Sequence, residues 1–90
     1  MPSPAFDQAA LSRWCVAFVA EMLERPPGDI NPDAKFSRIG LDSAMAVQLA
    51  VALEERLDIR LDPDAIADHP TITKLVAYLA KRYAERSPEP

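Results

Sequence analysis

Nine prolines constrain this chain more than any other feature, because each fixes φ and removes a backbone donor, so a helix accepts one only in its first turn. They stand at Pro2, Pro4, Pro26, Pro27, Pro32, Pro63, Pro70, Pro88 and Pro90, and the stretches between them are where helices can run. From about Ala5 to Glu24, the residues Leu11, Trp14, Cys15, Phe18 and Met22 recur at intervals of three and four, which puts them on one face of an amphipathic helix. Arg25 to Asp42 then holds Pro26-Pro27-Gly28-Asp29, Asn31-Pro32-Asp33 and Gly40, all turn signals, so a long loop is expected, pinned to the core by Ile30, Phe36, Ile39 and Leu41. A second helix starts at the capping pair Asp42-Ser43 and reaches about Leu57, burying Ala46, Leu49, Leu53 and Leu57, with Asp58 as its stop. Asp62 to Ala67 has room for one short helix. Pro70-Thr71 opens the last helix, in which Ile72, Leu75, Val76, Leu79 and Tyr83 share a face.

With 2 glycines and no run of alternating Val, Ile and Thr, little material for a sheet is present. The expected fold is all-α: a small four-helix bundle of three long helices and one short one, with the long loop between the first and second. Ninety residues at 49% apolar content suit one core and no more. The expected domain spans residues 5–86, and residues 1–4 and 87–90 form flexible ends, either frayed termini or remnants of interdomain linkers. Met1 is compatible with a free-standing protein and with an excised module alike.

A formal charge of -4 opposes nucleic acid or an anionic membrane surface as the main partner. The charge is uneven: Asp42, Glu54, Glu55, Asp58, Asp62, Asp64 and Asp68 face only Arg56 and Arg60 within the same stretch, which suits basic patches on a protein partner. The single cysteine, Cys15, has no internal partner, no basic n-region precedes an apolar core, and no apolar run reaches the roughly 20 residues of a membrane span. A reducing cytoplasm and a monomer are expected.

Catalysis has little to work with. His69 lies in a turn between Asp68 and Pro70, Cys15 sits where a helix would bury it without a base, and no His, Cys or carboxylate spacing suits a metal. The informative stretch is Ile39-Gly40-Leu41-Asp42-Ser43-Ala44-Met45: an apolar anchor, a glycine and an Asp-Ser pair opening a helix. A serine there presents its hydroxyl, and a phosphodiester on its oxygen would meet free N–H groups and the positive end of the helix dipole. Asp42 can then supply the cap in its place.

Gly40-Leu41-Asp42-Ser43 resembles, residue for residue, the attachment motif of the acyl carrier protein family. Met45-Ala46-Val47-Gln48-Leu49 resembles the run that follows the serine in polyketide-type carriers, and Asp68-His69-Pro70-Thr71-Ile72 is similar to the family's entry into its last helix. The resemblance covers roughly Leu11 to Tyr83. It implies a non-catalytic carrier whose Ser43, beside the motif residue Asp42, receives 4'-phosphopantetheine from coenzyme A through a phosphopantetheinyl transferase. Acyl groups would ride on the arm as thioesters between an acyl-loading enzyme and ketosynthase- or acyltransferase-type partners. Leu41-Asp42 is closer to acyl carriers than to peptidyl carriers of nonribosomal synthesis, and the Asp68–Ile72 turn points to polyketide rather than fatty acid synthesis.

Partner recognition is expected on the exposed side of the second helix, at Ala44, Met45, Val47, Gln48, Val51, Glu54 and Glu55. Val47 is balanced between docking and burial against the third helix, whereas Ala44 and Val51 favour docking. Two positions depart from the family: many members have Leu where Ala44 stands and an acid where Gln48 stands. Gln48→Glu is therefore expected to improve loading by a broad transferase or generic synthase, and unchanged kinetics would count against it. The alternatives are a peptidyl carrier, an unmodified helical interaction domain with Ser43 as an N-cap, and, last, an enzyme using Cys15 or His69.

Overall fold

The computed structural model describes residues 7–86, and the flexible ends expected from the sequence, together with Ala5 and Phe6, lie outside them. Helix α1 (Gln8–Leu23) begins where the Asp7 carboxylate accepts the Ala10 N–H at 3.1 Å. It stops at Glu24, a left-handed residue with φ of 58°, as the Arg25 N–H turns back to the Ala20 carbonyl at 2.9 Å. The connection that follows contains a 3-10 turn (Pro27–Asp29) and a one-turn helix α2 (Phe36–Ile39). Helix α3 (Ser43–Leu57) ends at Asp58, also left-handed at φ 56°; α4 (Pro63–Asp68) and α5 (Ile72–Arg86) complete the order. Among the described residues there is no strand.

The all-α expectation holds, with five α-helices rather than four among the described residues. The addition is α2, inside what the sequence reads as loop. Phe36 and Ile39 stand three residues apart, and burying both is easiest with one helical turn between them. Gly40, at φ 100°, closes that turn, with the Gly40 and Leu41 N–H groups both donating to the Phe36 carbonyl. The first helix needs a second correction. Its buried line is Leu11, Cys15 and Val19, with Ala20, where α1 packs mainly on α5; Trp14, Phe18 and Met22 are only half-buried beside it. Trp14 and Phe18 stack at 5.1 Å, and the Arg56 guanidinium of α3 lies 5.1 Å from the Trp14 ring, so the large rings cover a flank of the core. In α3 the fully buried line is Leu49, Ala50 and Leu53, with Ala46 and Leu57 half-buried at its ends.

Ile30, Phe36, Ile39 and Leu41 are buried, as expected, and they join Leu61, Ala65 and Ile66 and the α5 residues Ile72, Leu75, Val76 and Leu79 in one core. Three hydrogen bonds tie the long connection to the start of α5: the Phe36 N–H donates to Pro70 O at 2.8 Å, Thr73 N–H to Pro32 O at 3.0 Å, and Thr73 Oγ1 to Asp33 Oδ1 at 2.7 Å. Thr71 caps α5 by accepting the Lys74 N–H at 3.0 Å.

Candidate functional site

Ser43 is the first residue of α3 and is exposed. Its presentation begins at the buried pair Ile39 and Leu41, which bracket Gly40 and hold the turn against the core. The capping role falls to Asp42, whose Oδ1 accepts the Met45 N–H at 2.9 Å while its carbonyl accepts the Ala46 N–H at 2.9 Å. The unmodified reading that makes Ser43 the N-cap therefore loses its structural basis. The N–H groups of Ser43 and Ala44 belong to the helix's first turn, where no intrahelical acceptor exists, and they lie at the positive end of the helix dipole. A phosphodiester on Ser43 Oγ is compatible with every one of these groups.

A groove of about 430 Å³ opens beside the serine, walled by Phe36, Leu41, Val47, Ile66 and Ala67, with Asp64 at its edge. Its lining is mostly apolar, and it brings the α4 segment, read from sequence only as a short helix, next to the candidate site. The one-turn α2 also lines it, through Phe36 and Ser37. Neither contribution had a local signal beyond the shortness of the Asp68-His69-Pro70 connection.

A family model for the phosphopantetheine attachment site matches residues 13–79. The chain belongs to this family. It is 36% identical over 87 residues to the polyketide synthase ThaG of Burkholderia thailandensis, covering 97% of this chain and 2% of that protein. It is 41% identical over 64 residues to the phenolphthiocerol synthesis polyketide synthase type I Pks15/1 of Mycobacterium marinum, covering 70% of this chain and 3% of the relative. The chain thus spans a few per cent of the length of these relatives. Among solved structures it is similar to a free-standing peptidyl carrier protein from an uncharacterized secondary metabolic pathway of Acinetobacter baumannii, with TM-score 0.82, 35% identity and coverage of 87% of this chain and 98% of that one. The HMG-ACPI domain from the CurA module of Lyngbya majuscula shares the fold, with TM-score 0.81 at 22% identity over 98% of this chain and 91% of that one. The chain is a carrier protein domain of the kind that holds 4'-phosphopantetheine covalently.

The rest of the carrier domain's expected site residues separate by exposure. Ala44, Val47, Gln48, Val51 and Glu55 are exposed on α3, Val47 at 45% and Val51 at 46%, and Val47 also borders the groove shared with Ile66 and Ala67 of α4. Met45 is half-buried and packs against the core. Glu54 is half-buried too, and its Oε2 accepts the Leu61 N–H at 2.7 Å, which anchors the connection after α3.

Cys15 is fully buried, and desolvation pushes its thiol up to about 12 against a weaker opposing pull from Arg56, which favours the protonated thiol at neutral pH. His69 stacks on Tyr78 at 4.2 Å as part of the α4–α5 turn. Among the described residues no group of His, Cys, Asp and Glu side chains could hold a metal ion, and no helix is long and apolar enough to cross a membrane.

Proposed function

We propose that this domain is a non-catalytic acyl carrier of polyketide type in which Ser43 is the attachment residue. The observation that carries the reading is the division of labour at the start of α3: Asp42 takes the cap and the neighbouring Ser43 hydroxyl is left exposed. When attached, the phosphopantetheine arm supplies the terminal thiol that carries an acyl group as a thioester. The chain's own residues do the rest. The first-turn N–H groups of Ser43 and Ala44 receive the phosphodiester, Asp42 keeps the helix end closed, and Leu41 holds the turn in the core.

The proposed partners are a phosphopantetheinyl transferase, an acyl-loading enzyme and ketosynthase- or acyltransferase-type enzymes. Ala44, Val47 and Val51 would make the apolar part of the docking face, rimmed by Gln48, Glu54 and Glu55, with Met45 supporting it from the core side. A monomer spanning residues 5–86 in the cytoplasm fits the free, buried Cys15 and the net charge of -4, which also disfavours nucleic acid. Intact mass after incubation with coenzyme A and a broad-specificity transferase tests the proposal. One phosphopantetheine added to the wild type and none to Ser43→Ala is the expected result; equal addition to both would move the site elsewhere, and none on either would favour an unmodified interaction domain.

An aminoacyl cargo is the second reading, favoured by the 35% identity to a free-standing peptidyl carrier protein. Loading the modified domain with a malonyl or acetyl transferase, against an amino-acid-adenylating enzyme, separates the two.

A further inference from the structure

Arg25 reaches the segment that presents Ser43 from the far end of α1. The two backbone bonds that stop α1 at Glu24 fix where Arg25 leaves the helix, and its Nη1 then donates to the Ile39 carbonyl at 2.9 Å. Ile39 is the last residue of α2, and the next two N–H groups, of Gly40 and Leu41, both go to Phe36 O, so Ile39 O is left outside the helix's own bonding and Arg25 supplies its donor. That carbonyl belongs to the peptide joining Ile39 to Gly40. Gly40 has φ of 100°, and this angle is measured about the bond that leads from that peptide. Holding the peptide therefore holds the plane from which Gly40 swings the chain toward Leu41, Asp42 and Ser43. The end of α1 also abuts the turn: Leu23 Cδ2 lies 3.9 Å from the place a Cβ would take on Gly40. On the far side the segment is held by buried Leu41 and by the Asp42 cap. The Arg25 bond fastens the near side through a charged group.

We propose that Arg25 is a positioning residue for the modification of Ser43: by bonding the Ile39–Gly40 peptide, it holds the serine hydroxyl in the orientation a phosphopantetheinyl transferase accepts. The inference rests on Ser43 being the attachment residue. In the step it serves, a bond forms between Ser43 Oγ and phosphorus, and the pyrophosphate of coenzyme A breaks. The adenosine bisphosphate half leaves, and the hydroxyl proton passes to a base on the transferase. Arg25 touches none of these atoms. Its loss lowers the fraction of chains whose turn is competent, which raises KM for the carrier and leaves kcat unchanged. A partly exposed charge-assisted bond sets the size of the effect at about three- to tenfold.

The test compares wild type, Arg25→Met, Arg25→Lys and Ser43→Ala, using coenzyme A, a broad-specificity transferase, and amide hydrogen exchange followed by NMR. Arg25→Met is expected to raise KM for the carrier about three- to tenfold at unchanged kcat and to speed exchange at Gly40 and Leu41 by a similar factor. Exchange at Leu75 and Leu79, in the core of α5, stays at the wild-type rate. Arg25→Lys, which keeps a charged donor, brings both values most of the way back to wild type. A KM change without faster exchange at Gly40 and Leu41 would overturn the proposal in favour of direct contact with the transferase, and wild-type values for both would overturn it outright. If the wild type gains no mass, the Ser43 assignment fails; in that case the exchange rates at Gly40 and Leu41 still decide whether Arg25 clamps the turn.

Discussion

The connections that enter and leave α3 are built from the same parts in different proportions. Each follows a helix stopped by a left-handed acidic residue, Glu24 or Asp58. Each buries a leucine, Leu41 or Leu61, and in each an arginine donates to a loop carbonyl, Arg25 to Ile39 and Arg82 to Arg60 at 2.7 Å. The entering connection adds three more buried apolar residues, Ile30, Phe36 and Ile39, and backbone bonds to the start of α5. The leaving one relies on polar side chains: Glu54 accepts the Leu61 N–H, and Arg82 also donates to the Tyr78 hydroxyl at 3.0 Å. Apolar burial scales with area and tolerates no gap, whereas each exposed polar bond adds only about 1 kcal/mol. The side that presents the serine is thus set by the core, and the side that presents nothing is held by replaceable bonds.

Truncating one anchor on each side is the strongest way to break this comparison. Phe36→Ala is expected to cost about 3–4 kcal/mol and Leu61→Ala about 2–3 kcal/mol in urea unfolding. Reaction of buried Cys15 with a neutral-pH thiol reagent should accelerate more in the first variant. A larger cost at Leu61 would reverse the ranking. Glu54→Ala comes next: removing the acceptor for the Leu61 N–H should lower stability by about 1–2 kcal/mol while leaving amide exchange at Gly40 and Leu41 at the wild-type rate. Faster exchange there would mean that the two connections are coupled. The smallest effect is at the helix stop, where Glu24→Gly should raise the midpoint of unfolding by the equivalent of about 0.5–1 kcal/mol, since glycine adopts φ near 58° without the Cβ penalty. No gain there would show that the glutamate side chain contributes what its backbone loses.

What could be read from the sequence was whatever is local along the chain. Prolines and caps placed α1, α3, α4 and α5 within a few residues, and the Asp42-Ser43 pair announced both its cap and its hydroxyl. The one-turn α2 escaped because four residues are too few for a period, and because the Phe36 N–H bond that steadies it ends on Pro70. In α1 the spacing of three and four fitted both the Leu11-Cys15-Val19 line and the Trp14-Phe18-Met22 line. Only the packing on α5 distinguished the line that is buried from the one that flanks it. Arg25 left no trace at all, since an arginine bonded to a carbonyl fourteen residues away looks like any charged loop residue. The acceptor role of Glu54 was hidden for the same reason, resting on a turn that forms only after α3 ends.

Val47 and Val51, each nearly half exposed on α3, would set a timescale as well as a surface if a partner docks on them. The hydrocarbon they leave uncovered would contribute on the order of 3 kcal/mol if a partner buried all of it. A contact of that size alone dissociates in the millimolar range, and at ordinary association rates it lasts about a millisecond or less. Enzyme turnovers commonly take about a millisecond to a second. A partner seated on these two valines would be released and met again many times within one catalytic cycle, so the domain's productivity would depend on how often it returns rather than on how long it stays.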